Sequence, residues 1–176
     1  FVEEAQQLHC DGIPRKDMQG FRQPYLEHSA NSLCAAFLEG FRYDCSIEEG
    51  FDSEFDGTNF TWPYMLDHGL PEDPDVKLAG FLEIPVYALI VPRLSEAARY
   101  GLIDEDGSPY DLYDKLREKD PSLSEPKITG FDYNLWTLYG LTGKEFSAIL
   151  KYNLDLRIAG SRCPFTFGAH TDEYGD

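Results

Sequence analysis

The chain has 176 residues, 42% hydrophobic and 14% aromatic, which is too apolar for a disordered polymer and enough for a core of ordinary domain size. A formal net charge of −17 excludes a nucleic-acid binder, because phosphate recognition needs clustered Lys and Arg. No apolar stretch is long enough to span a bilayer, and no signal peptide is visible.

In chain order, residues 1–9 are predicted to be helical, and Gly12, Pro14 and Asp17 mark a loop. Residues 20–25 read as a short strand ended by its proline. A helix is expected over residues 29–39, opened by Ser29, carrying Leu33, Cys34 and Phe37, and closed by Gly40. A strand follows from Phe41 to Ile47, then a long excursion rich in Gly, Asp and Pro to about residue 80, and a strong strand from Phe81 to Ile90. Ser108 and Pro109 are expected to open a helix through about Lys119. Thr142 and Glu145 form a capping box for a helix to about Ile158, and Pro164 to His170 reads as the last strand.

Strands alternating with helices indicate an α/β arrangement with parallel strands. In the second strand Phe41, Tyr43, Cys45 and Ile47 share one face, opposite Arg42, Asp44 and Ser46. In the last, Phe165 and Phe167 oppose Thr166, Gly168 and His170; in the first, Phe21 opposes Gly20 and Arg22. A doubly wound sheet is apolar on both faces. The expectation is therefore a barrel with a polar interior that houses a site, with Arg22, Asp44 and His170 near strand ends where such sites form.

Other features point less sharply. The acidic run Glu48, Glu49, Asp52, Glu54 and Asp56 departs from the twelve-residue calcium loop and reads as a solvated loop. Cys10, Cys34, Cys45 and Cys163 contain no CxxC pair, so a zinc ribbon is not expected, while their even number permits three disulfide pairings. Asn59, Phe60 and Thr61 form an N-glycosylation sequon, and the start at Phe1 rather than Met predicts a removed precursor segment. Together these point to a secreted or extracellular protein.

Five segments share a specific text: GFRQPYLE (20–27), GFRYDCSIEEG (40–50), TWPYMLD (61–67), GFLEIPVY (80–87) and RCPFTFGAH (162–170). In order and rough spacing they resemble carbohydrate esterase family 4, the metal-dependent polysaccharide deacetylases with a NodB-like domain, and within it the chitin deacetylase branch. The resemblance covers about residues 10–172. It implies that residues 1–176 are the later part of a single deacetylase domain. The implied activity is hydrolysis of acetamide groups on a chitin-like N-acetylglucosamine polymer, with a divalent metal (zinc) as cofactor.

By the same resemblance, Arg22 positions a catalytic aspartate, and the Tyr25 backbone N–H helps form an oxyanion hole. His170 serves as general acid to the departing amine. Asp44 is expected to support that histidine or the arginine. Trp62 and Tyr64 are expected to flank the substrate groove, or to pack over the core, and Phe167 to wall the acetyl pocket. The sequence departs from the family at Leu82, where Trp is frequent, and at Gly168, which leaves the approach to His170 bare.

The family's opening Asp-Asp run and its His-x-x-x-His motif are absent, and no two of His9, His28, His68 and His170 have that spacing. No metal ligand is therefore assigned. The chain alone is expected to hold no zinc and release no acetate, and to need the missing segment or another chain as partner. A non-catalytic carbohydrate-binding homologue and an acidic structural domain without a site are the competing readings.

Overall fold

The computed structural model describes residue 7 and residues 9–170, so the helix expected over residues 1–9 lies almost wholly outside the described residues. The strands are β1 (Gly20–Phe21), β2 (Tyr43–Asp44), β3 (Glu48–Glu49), β4 (Tyr64–Met65), β5 (Leu82–Glu83), β6 (Val86–Ile90) and β7 (Lys127–Thr129). The helices are α1 (Ala30–Leu38), α2 (Leu94–Ala97), α3 (Leu112–Lys119) and α4 (Gly143–Ala159). The fold is mixed α/β with two small sheets, and no closed barrel forms among the described residues. It divides into two compact units, one holding the residues up to Ile47 with Pro63–Pro85, the other Glu48–Trp62 with Val86 onward.

The first unit contains a sheet in the order β1-β2-β5-β4, parallel except for β4 against β5. Ser29 and Ser32 form a reciprocal cap on α1. One turn of spacing brings Leu33 and Ala36 to the same face, where they bury against Ile47, Leu66 and Phe81. The strand expected from Phe41 to Ile47 pairs only at Tyr43 and Asp44. Beyond them the Ser46 N–H goes to Asp44 Oδ2 (2.7 Å) and the Ile47 N–H to Glu83 Oε1 (3.2 Å). With its donors taken by side chains, the ladder stops.

The second unit holds a sheet in the order β3-β6-β7, with β3 parallel and β7 antiparallel to β6. All of β6 is buried, with Leu89 in one cluster and Tyr87, Ala88 and Ile90 in another. The strand expected over residues 81–90 is two strands, β5 and β6, because Pro85 between them brings no N–H to a ladder. Asn153 on α4 clamps the middle of this unit. Its Oδ1 accepts the Ile90 N–H and its Nδ2 donates to Ile90 O, both at 2.8 Å. Arg157, one turn on, lays its guanidinium 3.7 Å from the Phe60 ring centroid and 4.8 Å from that of Tyr87.

Two further expectations are corrected. The helix placed at Ser108 starts at Leu112, because Asp111 is the cap: its carboxylate accepts the Tyr113 N–H at 2.9 Å, while Pro109 bridges Ile103 in an extended segment. Residues 164–170 form no strand and make one bridge, Gly168 to Phe131. Pro164 has no N–H, and the His170 N–H goes to the Asp132 side chain instead of a neighbouring strand.

The helix α4 begins as the sequence predicts: Thr142 Oγ1 accepts the Glu145 N–H, and Glu145 Oε2 accepts the Thr142 N–H at 2.8 Å. Thr142→Ala should cost about 1 kcal/mol, the usual value of an N-cap hydroxyl. Urea denaturation with an unchanged slope and a lowered midpoint is the expected result.

Candidate functional site

The expected site residues fall in both units. Arg22, Tyr25, Asp44 and Tyr64 belong to the first; Trp62, Phe167 and His170 belong to the second.

In the first unit the face of β2 predicted to be polar is the buried one. Asp44, Ser46 and the β5 neighbour Glu83 are all shielded from solvent. Asp44 Oδ1 accepts the Ser46 hydroxyl at 3.0 Å, and Ser46 Oγ in turn accepts the Gln23 N–H at 2.8 Å. Arg22 Nε donates to Cys45 O at 3.0 Å. The loop carrying Arg22 is thus stitched to the segment after Asp44 by two bonds that bypass the β ladder.

Burial pushes Asp44 above the ordinary carboxyl range, against the pull of the Ser46 hydroxyl and amide and of a hydrogen bond with Glu83. Asp44 and Glu83 are register partners on β2 and β5, and burying two carboxyl groups side by side favours a proton on Asp44. With a raised folded value, the stabilising proton is fully present at low pH and is lost as pH rises through that value. Glu83 was not assigned a role from the sequence, although its place in the Glu-aliphatic-Pro text set it beside Asp44.

Tyr25 follows Pro24 in a left-handed conformation, φ 57° and ψ 14°, and Leu26 repeats it at φ 60°. The Tyr25 ring is 95% exposed. Among the described residues no acceptor meets the Tyr25 N–H, whereas the Leu26 and Glu27 amides close back on Gln23 O and Pro24 O. A strained backbone that frees one N–H is an arrangement suited to an anion or a developing oxyanion. Tyr64 on β4 packs against the core of the first unit.

In the second unit, His170 Nδ1 lies 2.6 Å from Asp132 Oδ1, and the His170 N–H donates to Asp132 Oδ2 at 2.6 Å. The imidazole is 52% exposed and the carboxylate 0%. Burial raises Asp132, but the His170 side chain and amide and the Tyr133 amide outweigh it and hold the carboxyl below its ordinary range. The carboxylate on the histidine is thus Asp132, while Asp44, expected to support that histidine or the arginine, accepts from the Ser46 amide and hydroxyl. The available signal for Asp132 was its place two residues after Gly130, where the β-branched pair Ile128 and Thr129 ends in glycine.

Gly168 has a packing reason rather than an open approach: a Cβ there would fall 2.3 Å from the Phe131 ring. Phe167 meets Phe146 edge-on at 5.6 Å, and Phe146 stacks on Trp136 at 4.7 Å. Trp62 is half-exposed, with its Nε1–H on Ser161 O at 2.9 Å.

No family model, curated protein or solved structure matches the chain.

Two stability measurements test these networks. Glu83→Gln keeps a donor for Asp44 and an acceptor for the Ile47 N–H, so it should change stability by less than about 1 kcal/mol. Glu83→Leu leaves both unsatisfied in the interior and should cost about 1–3 kcal/mol. Equal losses in the two variants would remove Glu83 from the network.

Asp132→Asn should also cost about 1–3 kcal/mol near neutral pH. Because the folded value of Asp132 is lowered, its contribution is complete above the unfolded value of about 3.9 and is lost as pH falls through the folded one. The gap between wild type and variant should therefore close as pH falls below about 4. A gap that persists undiminished well below that value would contradict the assignment.

Proposed function

We propose that the chain carries the later part of a polysaccharide deacetylase domain, a partial and distorted (β/α) barrel. The activity of that domain is N-deacetylation of a chitin-like N-acetylglucosamine polymer outside the cell. The observation that carries this reading is the Asp132–His170 pair. The buried carboxylate holds Nδ1 of a half-exposed imidazole in a fixed orientation, which is how a histidine is prepared to hand a proton to a departing amine. The unpaired Tyr25 N–H supports it further, as a donor for the anionic tetrahedral intermediate.

In this reading Arg22 orients a carboxylate, and the Asp44–Ser46–Gln23 chain holds the Arg22 loop in place. Trp62, Tyr64 and Phe167 offer aromatic surface to sugar rings and the acetyl methyl. The exposed Asn59 of the sequon agrees with an extracellular protein.

A zinc ion would polarise the amide carbonyl and activate water. Among the described residues no group of three or more His, Cys, Asp or Glu is placed to hold one, so every step here is written for the chain's own groups. The partners proposed are the polymer and the segment or second chain that supplies the metal-binding motifs. No helix among the described residues is long and apolar enough to cross a membrane.

The test is acetate release from chitin oligomers by the full-length protein supplied with zinc. His170→Ala should lower kcat by about 10²–10⁴-fold and leave KM nearly unchanged, because an acid acts in the transition state. Tyr25→Gly keeps the N–H and suits a positive φ, so it should retain most of the rate. Unchanged turnover in His170→Ala removes the histidine from the mechanism. Oligomer binding with no acetate release assigns the protein to carbohydrate binding without catalysis.

A further inference from the structure

On the second unit a cavity of about 280 Å³ opens between the segment Arg93–Tyr100 and α4. One part of its wall is satisfied internally. Asp155 accepts the Tyr100 hydroxyl at 2.8 Å and Arg99 Nη2 at 3.2 Å, and Arg99 also pairs with Glu96 at 3.5 Å. The other part is not. Tyr152 is 7% exposed, yet its hydroxyl meets no partner among the described residues. The same holds for the exposed guanidinium of Arg93, in a chain whose acidic groups outnumber its basic ones by 32 to 15.

A phenol hydroxyl on a cavity wall that meets no protein partner is left to water or to a ligand. Burial pushes the Tyr152 phenol up, and burial together with the bond to Asp155 pushes Tyr100 up to about 12, so both stay protonated. The rings of Tyr100 and Tyr152 stand edge to face, 5.2 Å apart, and form an apolar corner beside these polar groups. Arg93 and Arg99 balance Glu96 and Asp155, leaving the wall neutral. The chain's overall charge of −17 works against any anion approaching it.

We propose that this cavity is a binding site for a single uncharged sugar ring, with Tyr152 and Arg93 donating to its hydroxyl or acetamide oxygens. Aromatic surface, a few convergent polar groups and a neutral wall together select a saccharide over an apolar ligand or an oxyanion. The volume admits one ring, not an extended chain. The site stands on this cavity alone and is independent of the deacetylase reading.

The experiment is NMR titration of the isotope-labelled chain with N-acetylglucosamine, glucose and glucuronate, repeated on Tyr152→Phe and Arg93→Ala. The Tyr152 hydroxyl makes no bond among the described residues, and Arg93 is exposed, so both variants should fold as wild type does. Expected are saturable shifts around Arg93, Tyr100 and Tyr152 with the uncharged sugars, weakened about five- to tenfold in each variant. His170→Ala should leave this binding unchanged, so failure here and failure of the deacetylase reading are separable. Absence of saturable shifts, shifts that persist undiminished in both variants, or tighter binding of glucuronate than of N-acetylglucosamine would each overturn the proposal.

Discussion

Main-chain groups buried at the ends of very short strands must find partners, and in this protein buried polar side chains supply them. Most strands here pair over two residues, and only β6 reaches five. A ladder that short leaves donors and acceptors of the following residues inside the protein. Asp44 takes the Ser46 N–H, Glu83 the Ile47 N–H, Asp132 the Tyr133 and His170 N–H groups, and Asn153 both groups of Ile90. Each of these side chains is almost wholly buried. They extend the sheets by other means, and the residues of interest for chemistry lie among them.

The same constraint explains what the sequence could reveal. The helices α1 and α4 were legible because Ser29 and the Thr142–Glu145 pair act locally, within one turn of their own amides. The inner polar face of β2 was legible because alternation survives even where the ladder ends, and Asp44 and Ser46 are buried as the alternation requires. The strands β4 and β7 were not, since two or three residues carry no period. The pairing of His170 with Asp132 crosses 38 positions of sequence, and the strand ending before Asp132 marks its place without marking its partner. The family resemblance marked His170 and offered Asp44 to support it or the arginine, and did not mark Asp132.

Charge is handled differently inside and outside. The net −17 belongs to the surface, where acidic side chains keep their water. Inside, each carboxylate has its own compensation. Asp44 is pushed up by burial and accepts the Ser46 amide and hydroxyl; Asp132 and Glu145 are both held below their ordinary ranges against the opposing effect of burial. For Glu145 the donors are Lys115 at 2.6 Å, the Thr142 amide and hydroxyl, and Tyr110. Arg157 has no carboxylate partner among the described residues. Burial lowers its pKa, and two aromatic faces and Gly57 O surround it, which compensates a guanidinium better than it would an ammonium.

The turn at Tyr25 connects these themes to function. Two consecutive non-glycine residues in the left-handed region cost roughly 1–2 kcal/mol each, and the exposed Tyr25 ring returns no packing energy for that cost. The stabilisation comes from the two flanks. Upstream, Pro24 fixes φ and the Gln23 N–H is held by Ser46, itself held by the buried Asp44. Downstream, the Leu26 and Glu27 amides and the His28 ring close the turn. A buried carboxyl pair thus supports a strained loop through one serine hydroxyl. What the strain secures is the main-chain geometry at residue 25, since the side chain there touches nothing the fold requires. Position 25 therefore matters for where its amide points.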